Sequence, residues 1–376
     1  MLKRIFHVLY PALGLGLFAL LLPPCANAQT QAPVVVTTNF NLRVMAANLN
    51  DNSQTYEPYA LRIFQGLRPD VVAIQEFNYL GNSDADFRAM LNANFGTSFV
   101  YYRENVAGYS IPNGIISRWP IVQSGTWEDT DTGVNNRGYA WARIDLPGTN
   151  DFYLVSVHLK ADNSSATRRA AEAAELKSLI QTNFPTNAWI IVAGDFNIHS
   201  SGETALATFK TFLSDNPIPH DGTASADPNT NAGRDERYDY VLPSFTFDTN
   251  RVATVIGSRS FPNGLVFDSR FYSPLSDVAP VQQPDSGLAQ HMAVVKDFRI
   301  SYTATNFVTV PPPVLRLVLT NVFRWAGPSN LSYRVLSSGS LSNFTQAGTA
   351  TSTSTNYFFT NSAPLTNQRF FRVVWP

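Results

Sequence analysis

The stretch AWIIVAGDFNIHS, residues 188–200, runs through apolar residues and then breaks into Gly194-Asp195-Phe196-Asn197. A continuous apolar run bounded by turn formers is the pattern of a strand buried on both faces. The break itself has an ordinary reading. Asp and Asn bond their own backbone and Gly tolerates positive φ, so Gly-Asp-x-Asn is good turn chemistry. Whether it is a turn or a site depends on what ends the other apolar runs.

Those runs end in polar residues of a similar kind. Asn48 follows Leu42–Ala47, Glu76 closes Val71-Val72-Ala73-Ile74-Gln75, and His158 closes Leu154-Val155-Ser156-Val157. Asp239 opens the run Tyr240-Val241-Leu242, and His291 precedes Met292-Ala293-Val294-Val295. Strand ends in layered α/β proteins are where rigid backbone meets loops and where ligands gather. Taken singly, each has a structural reading: Asn48 a turn former, Glu76 a solvated strand terminus, His158 a bonded core histidine, Asp239 a partner of Arg237. Only the set suggests a site.

Around these runs the pattern alternates strands and helices. Strands are expected at 42–48, 70–75, 98–103, 114–117, 138–146 and 152–159, the last two joined by a Pro147-Gly148 turn. Helices are expected at 59–67, 84–94 and 164–181. The last has Asn163 as its cap and Ala170, Ala173, Ala174, Leu176, Leu179 and Ile180 along one face. This mixture of hairpins and crossovers predicts sheets inside and helices outside.

Hydrophobic residues make up 44% of the 376-residue chain and charged residues 15%, a globular composition with core enough for two domains. Lys3 and Arg4 precede an apolar run from Ile5 to Leu22, and Ala26-Asn27-Ala28 offers small residues to a signal peptidase. The expectation is a signal peptide over 1–28 with cleavage near Ala28. The protein is then secreted or periplasmic, and the mature chain has no transmembrane segment. Cys25 sits beside Pro23 and Pro24, a poor setting for lipid attachment. It is the one Cys, so after cleavage any metal must be held by oxygen and nitrogen, which favours a hard ion.

Residues 301–376 contain five Arg and no Asp, Glu or His, so the acidic charge is concentrated upstream. An acidic body does not hold nucleic acid mainly through a basic surface. A phosphate substrate needs a local remedy for that repulsion, such as a divalent cation. The expected division is a catalytic domain at 29–301, a Pro-rich linker at 302–313 containing Pro311-Pro312-Pro313, and a small all-β module at 314–376.

In order, the chain carries Asn48; Ile74-Gln75-Glu76; Asn113-Gly114-Ile115-Ile116-Ser117-Arg118; Ser156-Val157-His158-Leu159; Gly194-Asp195-Phe196-Asn197; Tyr238-Asp239-Tyr240; and His291. That ordered set resembles the endonuclease/exonuclease/phosphatase superfamily, the fold of pancreatic-type DNases, apurinic endonucleases, neutral sphingomyelinases and inositol polyphosphate 5-phosphatases. The resemblance spans roughly residues 41–299. It implies a four-layered α/β sandwich, two packed mixed sheets flanked by helices, with the C-terminal segment as a small sandwich-like β module.

The resemblance also implies roles. Glu76 with Asn48 would hold Mg²⁺, with Mn²⁺ or Ca²⁺ as substitutes. Asp195 would orient and deprotonate water, Asn197 and His158 would donate to the phosphate, and Asp239 would hold His291. Asn135-Asn136-Arg137 resembles a phosphate-touching pair of pancreatic-type DNases, so Arg137 and Asn113 are candidate substrate contacts. Arg137 reads equally as a strand-edge charge. His199 reads as surface.

One position departs from the family pattern. The family usually has Ser-Asp-His where this chain has Ala289-Gln290-His291, so Gln290 offers the metal a neutral carbonyl, with Asp285 as a compensating carboxylate. The expected activity is hydrolysis of phosphodiesters, nucleic acid foremost, by a monomer whose C-terminal module contacts a cell surface or polymer. The alternatives are a phospholipid, sphingomyelin or inositol-phosphate hydrolase, and a surface-binding protein impaired at Gln290.

Overall fold

The computed structural model describes residues 30–51, 53–130, 137–148, 150, 152–310, 315–319, 321–340, 343–362 and 369–374, with side chains throughout except at 30–35 and 304–310. The leader with Cys25 and Ala28, the pair Asn135 and Asn136, and Pro311 to Pro313 lie outside the described residues. Two compact units divide the chain: Thr37–Tyr302, and Thr303–Pro376 with Met1–Val36.

The elements begin with β1 (Thr30–Ala47), α1 (Pro58–Leu67), β2 (Val71–Ile74), α2 (Asp84–Asn94), β3 (Val100–Arg103), β4 (Gly114–Ser117), β5 (Ile121–Trp127) and β6 (Tyr139–Ile144). They continue with β7 (Phe152–His158), α3 (Ala166–Asn183), β8 (Trp189–Asp195), α4 (Thr204–Phe209), β9 (Asp239–Pro243) and α5 (Phe245–Asp248). Next come β10 (Arg251–Val252), β11 (Thr254–Ile256), β12 (Arg259–Phe261), β13 (Leu265–Phe267), α6 (Asp285–Leu288) and β14 (Ala293–Val310).

Two mixed sheets form the centre. One runs β10-β14-β1-β2-β4-β3 with β13 also on β14, and the other runs β5-β6-β7-β8-β9. Each combines a parallel pair, β1 with β2 and β7 with β8, with antiparallel neighbours.

The period-2 alternation of strand side chains sorts them into layers. In β1, Val44 and Ala46 join Leu154, Ile191, Ala193 and Val241 of the second sheet, so this face is the sandwich core. Met45 and Ala47 face the other way, into a cluster with Ile63 and Phe64 of α1 and Phe87 and Met90 of α2. Likewise Val155, Val157, Ile190 and Val192 meet Leu176 and Ile180 of α3 and Leu206 and Phe209 of α4. Helices, sheet, sheet and helices therefore make four layers.

Local sequence explains the helix limits. α1 starts with Pro58 in its first turn and stops at Arg68, whose backbone is left-handed. α2 is opened by a capping box in which Ser83 and Asp86 each bond the other's backbone.

Three expectations need correction. Asn163 opens a one-turn 3-10 segment rather than capping α3, whose own N-cap is Ser165. On α3 Ala174 is exposed, whereas Arg169 and Glu172 are buried. Arg169 makes a bidentate pair with Glu203, at 2.8 Å for each bond, and so crosses to the turn that opens α4. The edge strand β5 was not expected, because its middle, Gln123 to Thr126, has no apolar side chain between Val122 and Trp127.

In the C-terminal unit, the strands are β15 (Arg316–Leu319), β16 (Val322–Ala326), β17 (Ser332–Ser338), β18 (Thr345–Thr351), β19 (Asn356–Thr360) and β20 (Phe370–Val374). They form two three-stranded sheets, β15-β16-β19 and β18-β17-β20. Phe323, Trp325, Tyr333, Val335, Tyr357 and Phe371 build their shared core. Among the described residues no helix is long and apolar enough to cross a membrane.

Candidate active site

Strand register assembles the centre of the site. β7 and β8 pair His158 with Asp195, and β8 and β9 pair Asp195 with Asp239, so three polar residues lie side by side in adjacent strands. The first sheet supplies Asn48 just past β1 and Glu76 two residues past β2. Asn48 Nδ2 donates to Asp195 Oδ2 at 3.1 Å, a bond that joins the two sheets.

Asp195 Oδ2 is also 3.3 Å from His158 Nε2 and 3.6 Å from His291 Nε2. Its other oxygen accepts from Asn197 N at 2.9 Å. Asn197 Nδ2 donates to Leu159 O at 3.0 Å. His291 Nδ1 lies 2.8 Å from Asp239 Oδ2, and Asp239 N is held by Thr230 Oγ1 at 2.9 Å. All these residues are buried.

Two of them carry left-handed backbone, Glu76 with φ 50° and Asn197 with φ 49°. Such conformations cost about 1–3 kcal/mol in a non-glycine residue and persist where the surroundings over-determine them. Asn50 Nδ2 fixes the first by donating to Glu76 O at 2.9 Å. Directly beneath, Gln75 Nε2 donates to Ser156 Oγ at 2.9 Å between the sheets. Gly194 makes room for that contact. A Cβ there would stand 2.5 Å from Gln75 Nε2 and 2.2 Å from Val157 O, at a backbone φ of +133°.

Burial and crowding of like charges set the electrostatics. Burial raises the Glu76 carboxyl, the Asp195 charge raises it further, and His291, Arg137 and a bond from Asn48 act against them. Burial likewise lifts the Asp239 carboxyl, against the pull of His291. For His291, burial works against the charged form, but the charges of Asp239 and Asp195, the hydrogen bond to Asp239 and the charge of Glu76 outweigh it and hold the imidazolium up to about 9. His158 goes the other way: burial, with Arg137 and His291 nearby, drives it well below the ordinary histidine range.

The donor chemistry fits a hard cation. Asp195, Asp239 and His291 bring one donor atom each within 4.8 Å of one another, Glu76 adds a carboxylate, and among the described residues buried Asp239 Oδ1 has no hydrogen-bond partner. A concentration of buried carboxylates of this kind is relieved by a bound divalent ion.

Other candidates are placed differently. The Arg137 guanidinium bonds the carbonyls of His158, at 2.6 Å, and Leu159, at 3.0 Å, so it braces the end of β7 while its charge acts on Asp195 and Glu76. Asn113 is wholly buried and donates to Gly138 O at 2.6 Å, which braces the backbone there. Gln290 is half-buried, with its backbone N on Asn50 O at 2.8 Å.

Asp285 cannot compensate for Gln290, since it is buried in a bidentate pair with Arg62 at 2.6 and 3.0 Å. Arg237 pairs with Asp215 rather than with Asp239. His199 is not a surface residue but is mostly covered, its Nδ1 3.0 Å from both Glu236 and the Tyr238 hydroxyl.

Sequence reasoning gave no part to Glu104, whose Oε2 accepts from Asn113 N at 2.7 Å and Gly138 N at 3.3 Å. Nor did it single out Glu172, which accepts from Lys160 N at 2.9 Å. Charged residues at covered positions of a strand end and a helix face are the signal that was there to read.

A four-layered sandwich with carboxylates, amides and imidazoles gathered at the strand ends defines a phosphoesterase-type fold. The model of the Endonuclease/Exonuclease/phosphatase family matches residues 40–276, and the chain belongs to that family. Its members are typically hydrolases of phosphoesters and generally depend on a divalent metal.

Among solved structures, the human Nocturnin catalytic domain with bound sulfate is 16% identical, covers 73% of this chain and 98% of its own, and has a TM-score of 0.47. An endonuclease/exonuclease/phosphatase from Beutenbergia cavernae DSM 12333 is 15% identical over 89% of this chain and 96% of its own, with a TM-score of 0.45. A truncated Caenorhabditis elegans TDP2 is 14% identical over 69% and 97%, with a TM-score of 0.42. Among curated proteins none matches the chain.

Proposed function

We propose that the protein is an exported, Mg²⁺-dependent phosphodiesterase that hydrolyses nucleic acid by in-line attack of water. The observation that carries this reading is the convergence of Asn48, His158 and His291 on one oxygen of Asp195. A carboxylate at a strand end that accepts from one amide and faces two imidazole nitrogens is oriented in advance of its substrate.

In this reading Glu76, Asn48 and Gln290 hold the cation, Mg²⁺ with Mn²⁺ or Ca²⁺ as substitutes. Bound there, the ion supplies positive charge to a phosphoryl oxygen and to the leaving group. Asp195 orients the attacking water and takes its proton. Asn197 Nδ2 has a second hydrogen beyond its bond to Leu159 O, and that hydrogen meets a phosphoryl oxygen. His158, kept neutral, donates from Nε2. His291, kept charged by Asp239, donates a proton-bearing Nε2 to the developing negative charge. Arg137 steadies His158 from behind through the carbonyls of 158 and 159.

Residues 29–301 carry this chemistry after cleavage near Ala28, 302–313 join them to the module at 314–376, and the module makes surface or polymer contacts. A monomer suffices. Nucleic acid is the preferred substrate because an exported hydrolase of diesters meets it as an abundant extracellular polymer.

The test is to incubate the purified protein with plasmid, RNA, bis-(p-nitrophenyl) phosphate and sphingomyelin, each with Mg²⁺ and with chelator. Cleavage of DNA or RNA that stops with chelator is expected, and Asp195→Asn lowers it by about 10²–10⁴-fold. Cleavage of sphingomyelin alone rejects the nuclease, and no turnover in any divalent metal rejects catalysis.

A further inference from the structure

Behind His158 lies a cavity of about 10 Å³, lined by Asp129, Arg137, His158, Lys160 and Glu172 among others. That is room for one water, which takes roughly 10–15 Å³ by this measure and needs two to four polar partners. The lining is polar: it includes Glu172, Asp129, which pairs with Arg168, and Arg137, whose guanidinium also bonds the carbonyls of His158 and Leu159.

His158 supplies the second observation. Its Nε2 faces the acceptor Asp195 Oδ2 at 3.3 Å, while its Nδ1 is buried with no hydrogen-bond partner among the described residues. A neutral imidazole has one donor nitrogen and one acceptor nitrogen. With Nε2 set against a carboxylate, the donor must be Nε2–H and the acceptor Nδ1. A buried acceptor without a partner is costly unless something donates to it.

We propose that this cavity is a water site that fixes the tautomer of His158, and that Glu172 is the positioning residue that holds the water. The water donates one hydrogen to His158 Nδ1 and the other to the Glu172 carboxyl. Glu172 is itself fixed, because Oε2 accepts from Lys160 N, two residues beyond His158. The contact therefore runs from α3 through the water to the imidazole and ends at the Nε2–H that faces Asp195. The water site stands on the cavity and the orphaned nitrogen; the benefit to turnover rests on the phosphodiesterase reading.

The experiment is nitrogen-15 NMR of histidine-labelled protein at neutral pH, with His158→Gln to assign the signal. In the wild type, His158 is expected as the Nε2–H tautomer, with magnetisation transfer from a long-lived water to its ring. An Nδ1–H tautomer, or no such water, overturns the proposal whatever the variants do.

Glu172→Leu should mix the tautomers and lower kcat on bis-(p-nitrophenyl) phosphate about tenfold with KM little changed. Glu172→Gln should restore both, since its carbonyl accepts the same hydrogens. A folded Leu variant with an unmixed tautomer and full kcat refutes the part given to Glu172. Because the NMR needs no turnover, an inactive protein that shows the Nε2–H tautomer and the water would refute the phosphodiesterase and leave the water site standing.

Discussion

Substituting Glu104 with Gln should make the protein more stable at neutral pH and leave it nearly unchanged in acid. The Glu104 side chain sits at the end of β3, 1% exposed, with Oε2 on the backbone N–H groups of Asn113 and Gly138 and Oε1 without a partner among the described residues. Burial outweighs those two bonds and the charges of Arg137 and Arg103, and holds the carboxyl up to about 7 against an ordinary 4.5. The folded state thus binds this proton more tightly than the unfolded chain. Its contribution to stability is full below about 4.5 and is lost as pH rises through about 7. Across that window the loss is of the order of 3 kcal/mol.

Gln keeps an acceptor for both N–H groups and carries no proton to lose. Urea unfolding of both proteins at pH 4, 6.5 and 8 should give curves that nearly coincide at the first and separate progressively, with the variant ahead by up to about 3 kcal/mol. Glu172, also held up to about 7 by burial, is present in both proteins and cancels in the difference. A stability difference that does not change with pH would refute the reasoning, because it would mean that Glu104 titrates alike in both states.

Three further outcomes are expected. Lys296 is buried with its amine held down to about 7, so its contribution is lost as pH falls through that value, and Lys296→Met should flatten the rise in stability between pH 7 and 10.5 seen by thermal melting. Gly194→Ala should destabilise by at least about 3 kcal/mol, since its Cβ would meet backbone at a left-handed φ, and a soluble, fully stable variant would contradict the packing described. Gln290→Asp adds a carboxylate beside the site, so the Mg²⁺ concentration for half-maximal activity should fall by about tenfold, and an unchanged value would remove Gln290 from the metal's neighbourhood.

The sequence made the strand ends visible because each apolar run is short and is followed by one conspicuous polar residue. For His158 and Asp195 this works because β7 is buried throughout and β8 everywhere but at Trp189, leaving little alternation to blur their ends. Their pairing was not visible, since register depends on partners far away in the chain. The same distance hid Asp215 as the partner of Arg237 and Arg62 as the partner of Asp285. Local pattern misled in part on α3: Ala173, Leu176 and Ile180 are covered as expected, but Ala174 is exposed and the structure also buries Arg169 and Glu172, each satisfied by a loop that helical periodicity does not register. The edge strand β5 escaped because strands with one wet side and few apolar residues read as loop.

The bond from Asn48 to Asp195 links residues 147 positions apart and spans the two halves of the sandwich. Neither half holds the whole candidate site, so on the proposed reading catalytic competence arises only when both have docked and every strand between them is in step. Recovery of turnover after dilution from denaturant should therefore trail the return of helical signal and coincide with the last tertiary step, which would make enzymatic rate a gauge of complete folding.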